Sequence, residues 1–334
     1  MKKFIALLLA AVMVFAMSAC APAAEQGGET PTYAIVCKDA SNPYMKRMVS
    51  GFKTACEALG VNFIEKSPET TSAQDQITIV NELVAQGVKA IAIAANDPAA
   101  LEATLKTARE AGIAVVTLDS DTKGSQMFIN QAGVKEVAQV LVDSIYDMAG
   151  GEGEFAVLSA SSTATNQNAW IAAMDEIIKA DTKYSKLVWK ATVYGDDEPT
   201  KSTTETQNLM TNYPNLKVIC CPTTVGVLAC AKAVEGTSIK VAGLGLPSEM
   251  KNYVGEGKAC PYMYLWNPID VGSCAAYAIK AILDGKVGAV GTSFTAENGT
   301  TYEIMKGDTA DQQIIVGPPF KFDGNNIGEW AEVY

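Results

Sequence analysis

The chain has 334 residues, 48% of them apolar, a formal net charge of −11 and no histidine. Its acidic balance argues against a nucleic-acid binder, which needs clustered Lys and Arg against phosphates. The missing histidine removes the commonest general base and metal ligand, leaving carboxylate and lysine chemistry open.

In chain order, Lys2 and Lys3 precede an apolar run that ends in Met17-Ser18-Ala19-Cys20. A positive start, an apolar stretch too short to span a bilayer and small residues at its end predict a secretory signal over 1–19. The Ala-, Pro-, Glu- and Gly-rich segment 20–31 reads as a flexible tether. Small residues before a cysteine resemble the bacterial lipobox, which implies lipidation of Cys20 after cleavage, although Met17 stands where Leu is commoner. The alternative is ordinary secretion with Cys20 as a free thiol.

From Thr32 onward, short β-rich apolar runs alternate with helical patterns. Strands are predicted at 33–37, 61–64, 90–94 and 113–118, and helices at 43–59, around Ile77, Val80, Leu83 and Val84, and at 101–111. Gly60, Gly87 and Gly112 fall where a left-handed helix stop is wanted. Strands buried on both faces and separated by helices make a parallel sheet. A second series follows Gly150-Gly151, with strands at 155–159, 187–193, 218–221 and 240–244. Two such series predict an α/β protein of two doubly wound lobes, because single cores stop growing at about this size. A further strand at 263–266 leads into a helix at 271–283. Three short strand-like pieces around Phe294, at 302–305 and at 313–316 then read as a returning crossover and a C-terminal extension.

Beyond Cys20 the cysteines are Cys37, Cys56, Cys220, Cys221, Cys230, Cys260 and Cys274, an odd and scattered set with no metal-ligand spacing. Buried small hydrophobes describe them better than a disulfide framework.

Open parallel sheets bind ligands beyond the carboxyl ends of their strands, so the residues after each apolar run are the candidates. Lys38 and Asp119 terminate buried strands, where a charge needs a partner or a wet cleft. Asp97, Thr223 and Ser248 read rather as helix caps. No GxSxG elbow, P-loop or complete GxGxxG is present, and Gly243-Leu244-Gly245 is only a fragment. A neutral polyol needs carboxylate, amide and ammonium groups for its hydroxyls and aromatic faces for its C–H surface. Lys38, Asp119, Asn166, Gln167, Tyr44, Trp170 and Trp266 supply that inventory, with Trp170 equally readable as core.

Ser41-Asn42-Pro43-Tyr44, Gln86-Gly87-Val88-Lys89 with the strand it enters, Asp119-Ser120-Asp121, Asn166-Gln167-Asn168-Ala169-Trp170 and Leu265-Trp266-Asn267-Pro268 together resemble the type 1 periplasmic sugar-binding proteins. The rhamnose-binding and autoinducer-2-binding group is the nearest branch. This resemblance implies the type 1 periplasmic binding protein fold, two flavodoxin-like lobes joined by a three-crossing hinge. The expected division is 32–131 plus 267–292 for the first lobe and 132–266 plus 293–334 for the second. It implies a ligand set of Lys38, Asn42, Tyr44, Asp119, Asn166, Gln167, Pro222, Thr224 and Trp266. Against the autoinducer-2 pattern, Asn166 replaces an Asp and Thr224 an Ala. Against ribose binders, Ser120 replaces an Arg, Gly245 an Asp and Trp266 a Gln, which disfavours ribose itself.

The expected function is that of a monomeric extracytoplasmic solute-binding lipoprotein, held to the cell membrane by lipid. It delivers a small neutral sugar-like ligand, autoinducer-2 or rhamnose, to an ABC permease without cofactor or metal. Another pentose or hexose, or a chemosensory receptor role, is the alternative. A LacI-type regulator needs an N-terminal helix-turn-helix where this chain has a signal, and a sugar-modifying enzyme needs an acid/base pair.

Overall fold

A computed structural model describes residues 30–307 and 309–334, so the signal and Cys20 lie outside the described residues. The first half runs β1 (Thr32–Val36), α1 (Pro43–Ala58), β2 (Asn62–Glu65), α2 (Ala73–Ala85), β3 (Ala90–Ile93), α3 (Pro98–Glu110), β4 (Ala114–Leu118) and β5 (Met127–Asn130). Then come α4 (Val134–Ala149), β6 (Gly153–Ser159), α5 (Thr165–Ala180), β7 (Leu187–Tyr194), α6 (Pro199–Asn212), β8 (Leu216–Cys221), α7 (Thr224–Ala233), β9 (Lys240–Gly243), α8 (Pro247–Met250) and β10 (Tyr262–Leu265). The chain ends with α9 (Pro268–Leu283), β11 (Ser293–Thr295), β12 (Thr301–Glu303), β13 (Met305–Lys306), β14 (Gln312–Ile315), β15 (Phe320–Asp323) and α10 (Ile327–Trp330).

Two sheets organise these elements. The first has seven strands in the order β13-β14-β5-β4-β3-β1-β2, parallel except for the terminal β13–β14 pair. The second runs β7-β6-β8-β9, all parallel. It is extended by a parallel bridge from Leu244 to Tyr264 of β10, against which β15 pairs antiparallel. In β1, Tyr33 and Ile35 face one core while Ala34 and Val36 join the residues of α2 and α3 on the other side. Both faces are covered, which is why these strands read as unbroken apolar runs.

The chain passes between lobes three times, from β5 to α4, from β10 to α9 and from β14 to β15. One boundary expectation is corrected. Residues 293–334 do not all belong to the second lobe, because β14 pairs in register with Phe128–Asn130 of β5 and so closes the edge of the first sheet. Only the segment carrying β15 and α10 returns to the second sheet.

Where α9 meets α1 the packing is at backbone distance. A Cβ on Gly51 would lie 2.0 Å from the Ile269 carbonyl oxygen, and one on Gly272 1.9 Å from that of Met48. These reciprocal glycines seat the start of α9 against the middle of α1, which keeps Tyr44 in the first turn of α1 beside Trp266, just ahead of α9. The seven described cysteines are free and buried, and burial pushes the thiols of Cys37, Cys220 and Cys274 up. Among the described residues no helix is long and apolar enough to cross a membrane.

Candidate functional site

The carboxyl ends of the two sheets face one another across a cavity with an empty volume of about 350 Å³. All nine residues of the expected ligand set line it: Lys38, Asn42, Tyr44, Asp119, Asn166, Gln167, Pro222, Thr224 and Trp266.

Its polar edge is built around an ion pair within the first lobe. The Lys38 ammonium donates to Asp119 Oδ2 at 2.7 Å, both side chains being less than a tenth exposed (7% and 4%). Asp119 directly follows β4 with φ 60, a left-handed conformation that costs a non-glycine residue about 1–3 kcal/mol. Among the described residues the other non-glycines with positive φ are Asp196 and Asp197, and Asp197 lines the same cavity. Strain of this kind gathers at functional sites.

Asn166, from the first turn of α5, reaches across from the second lobe. Its amide nitrogen donates to Asp119 Oδ2 at 3.2 Å, and its oxygen accepts from Ser120 Oγ at 3.2 Å and from Lys38 at 3.5 Å. Direct polar contacts therefore bridge the lobes. A further one at the rim runs from the Thr163 hydroxyl to the Asn96 carbonyl at 3.0 Å.

Aromatic rings complete the lining. Trp266 Nε1 donates to the Tyr44 hydroxyl at 2.7 Å, with the rings edge-to-face at 6.3 Å. Trp170, read equally as core or wall, does both: it is buried and stacks at a tilt 5.6 Å from Trp266 while lining the cavity. Burial, and then the nearby Asp119 charge, hold the Tyr44 hydroxyl well above its ordinary pKa, so it stays a neutral hydrogen-bonding group.

Two expected ligand residues are partly committed elsewhere. The Asn42 oxygen caps α1 by accepting from Tyr44 N at 3.0 Å. Gln167 Oε1 accepts from Ser159 Oγ and Ala160 N, both at 2.7 Å, and so ties α5 to the end of β6. In each case the amide nitrogen is what remains for a ligand.

The cap expectations divide. Asp97 caps α3 through Ala99 N and Ala100 N at 3.0 and 3.2 Å. Thr223 stands at the N-cap position of α7 but donates its hydroxyl to Asp197 instead. Ser248 lies inside α8, whose cap is Leu246. The second aspartate of the Asp119-Ser120-Asp121 motif faces away from the cavity, accepting from Thr117 Oγ1 at 2.6 Å and from Ala310 N at 2.8 Å.

Sequence reasoning missed Asp197, Met45, Leu244 and Leu265, which also line the cavity. The strand-end rule applied equally to the loop after β7. Its run Asp196-Asp197-Glu198-Pro199 reads as a helix start, and Glu198 does cap α6.

A periplasmic binding protein domain matches residues 33–287. The chain belongs to that family. An ABC transporter solute-binding protein from Clostridium phytofermentas, solved with bound L-rhamnose, is 46% identical with a TM-score of 0.88, over 92% of this chain and 99% of that one. LsrB from Clostridium saccharobutylicum, solved in complex with AI-2, shares the fold at 21% identity and a TM-score of 0.82, over 89% and 99% of the two chains. The D-ribose/D-allose-binding protein of Pseudomonas aeruginosa is 25% identical over 268 residues, 75% of this chain and 83% of that protein. The two lobes are thus those of a type 1 periplasmic binding protein, and the relatives are transport proteins, not enzymes. Family membership implies an extracytoplasmic location.

Proposed function

We propose that this chain is the solute-binding lipoprotein of an ABC importer and that its ligand is L-rhamnose or a closely similar neutral sugar. The observation that carries the reading is one cavity lined both by the Lys38–Asp119–Asn166 polar cluster and by the rings of Tyr44, Trp266 and Trp170. Charged and amide groups serve hydroxyls, and aromatic faces cover C–H surface and a methyl group. The 46% identical relative with L-rhamnose bound supports that choice of sugar.

Asp119, Lys38, Asn166 and the Gln167 and Asn42 amide nitrogens are the hydroxyl partners in this reading, while Pro222, Thr224 and Trp266 shape the wall. Both lobes supply groups, so the sugar favours the closed arrangement and shifts the population towards it, and the closed form is what the permease receives. The protein acts as a monomer, and a diacylated Cys20 holds it at the membrane, two chains anchoring stably where one is marginal.

Autoinducer-2 is the second reading, favoured by Lys38, Asp119, Gln167 and Pro222. Asn166 weighs against it, because its amide donates to Asp119 and an aspartate there could not. Titration calorimetry with L-rhamnose, autoinducer-2 and ribose tests the proposal, alongside mass spectrometry of small molecules released on denaturing the purified protein. Tight binding of ribose with none of rhamnose would overturn it.

A further inference from the structure

We infer that Asp197 is a second ligand carboxylate, receiving a sugar hydroxyl from the second lobe while Asp119 receives one from the first. The inference rests on the sugar-binding reading above and deepens it. The ligand must then present hydroxyl donors on two separated edges, as a ring polyol does and a compact diol does not.

Asp197 sits just beyond β7, at the same end of its sheet as the other cavity residues, and lines the cavity with them. Its loop is tightly held. Gly195 N and Asp196 N donate to the carbonyls of Ser159 and Ala160, each at 2.9 Å. A Cβ on Gly195 would come within 2.2 Å of Ser202 Oγ, so the loop backbone packs directly against α6. Asp196 and Asp197 follow with φ 54 and 53, two consecutive left-handed residues that only a firmly held loop maintains.

The carboxylate is half used. Thr223 donates its hydroxyl to Oδ1, and among the described residues no hydrogen bond reaches Oδ2. Nor is Oδ2 among the sealed polar atoms without partners, which are Gln131 Oε1 and Ser202 Oγ, so it keeps accessible surface on a residue that lines the cavity. An acidic side chain less than a tenth exposed, with no ion pair among the described residues, is costly to keep. The groups that face it are Thr223, the opposing Lys38 ammonium, and the like charges of Asp119 and Asp39. Burial raises its pKa, and Thr223 and Lys38 offset this only in part.

That cost supplies a readout independent of sugar. A carboxyl whose pKa is raised by folding supports the fold while protonated and withdraws that support once the pH exceeds its folded pKa. Asp197→Asn keeps a residue that tolerates the left-handed backbone and can still bond Thr223. Without ligand, the variant is expected to melt above wild type at neutral pH, with the gain vanishing as the pH falls towards the ordinary carboxyl value of 3.8.

The binding test titrates wild type and Asp197→Asn with L-rhamnose and its singly deoxygenated analogues. The variant is expected to bind rhamnose about 10- to 100-fold more weakly, the loss of one hydrogen bond to a charged group. One deoxy analogue, lacking the hydroxyl that meets Asp197, should lose affinity in wild type but little further in the variant. A variant that melts higher at neutral pH yet binds rhamnose like wild type would overturn the inference and leave the sugar reading standing. Wild type that binds no sugar in the set would overturn the sugar reading, and the inference with it.

Discussion

Replacing Asp119 by Asn perturbs the polar edge with little change of shape. Asn tolerates the left-handed backbone at φ 60, but the change removes the negative charge 2.7 Å from the Lys38 ammonium. Orphaning one member of a buried pair costs about 3–5 kcal/mol. The lower end applies here, because Asn166 Oδ1 remains 3.5 Å from the ammonium and still accepts a hydrogen bond from it. At roughly 2–4 °C per kcal/mol, a loss of about 3 kcal/mol lowers Tm by roughly 6–12 °C. Adding Lys38→Met removes the orphaned charge, so the double variant should recover most of this loss. Binding should not recover. Asp119 can accept two sugar hydroxyls at roughly 1.5–3 kcal/mol each, which puts the loss of affinity at about 10² or more in both variants. Scanning calorimetry and titration on the same preparations measure the two effects separately. A single variant that melts like wild type, or a double variant no more stable than the single, would refute the buried-pair argument. Full sugar affinity in Asp119→Asn would refute the placement of the site.

Cys20→Ser is expected to release the protein from membranes into the medium, and fractionation showing unchanged retention would refute the lipid anchor. Saturating sugar should reduce the radius of gyration measured by X-ray scattering, and at a hundred times Kd it should add about 2.7 kcal/mol of stability. Asn166→Asp exchanges the amide that donates to Asp119 at 3.2 Å for a like charge, so it should weaken rhamnose binding. Autoinducer-2 binding preserved or strengthened by that change, measured by titration, would favour the second reading.

The alternation of runs was legible because both faces of each sheet are covered, which leaves strands such as β3 uniformly apolar. Three features were not. β5 is a four-residue strand lying close after the Asp119 loop, too short for its period to stand out. β14 could have joined either sheet on pattern alone, and only its register with β5 assigns it. Thr223 has the identity and position of a cap, yet its hydroxyl is drawn to a carboxylate twenty-six positions earlier, a contact no local pattern encodes. The expected ligand positions share one cavity because each lies in a strand-to-helix loop or the first turn of the helix that follows, and parallel strands end on one side. How much of each side chain is free is a tertiary matter, as the doubly occupied Gln167 oxygen shows.

The glycine contact between α1 and α9 gives the molecule an optical property. Because those helices touch at backbone distance, Trp266 is bound to the first lobe through Tyr44, although it stands at a crossing. Trp170 belongs to α5 and moves with the second lobe. The two indoles, 5.6 Å apart here, are therefore a gauge spanning the cleft, and two of only four tryptophans in the chain. Lobe separation exposes both rings to water and uncouples them, so intrinsic fluorescence should change with sugar in unlabelled protein. Trp189 and Trp330 lie outside the cavity lining and supply a constant background for that signal.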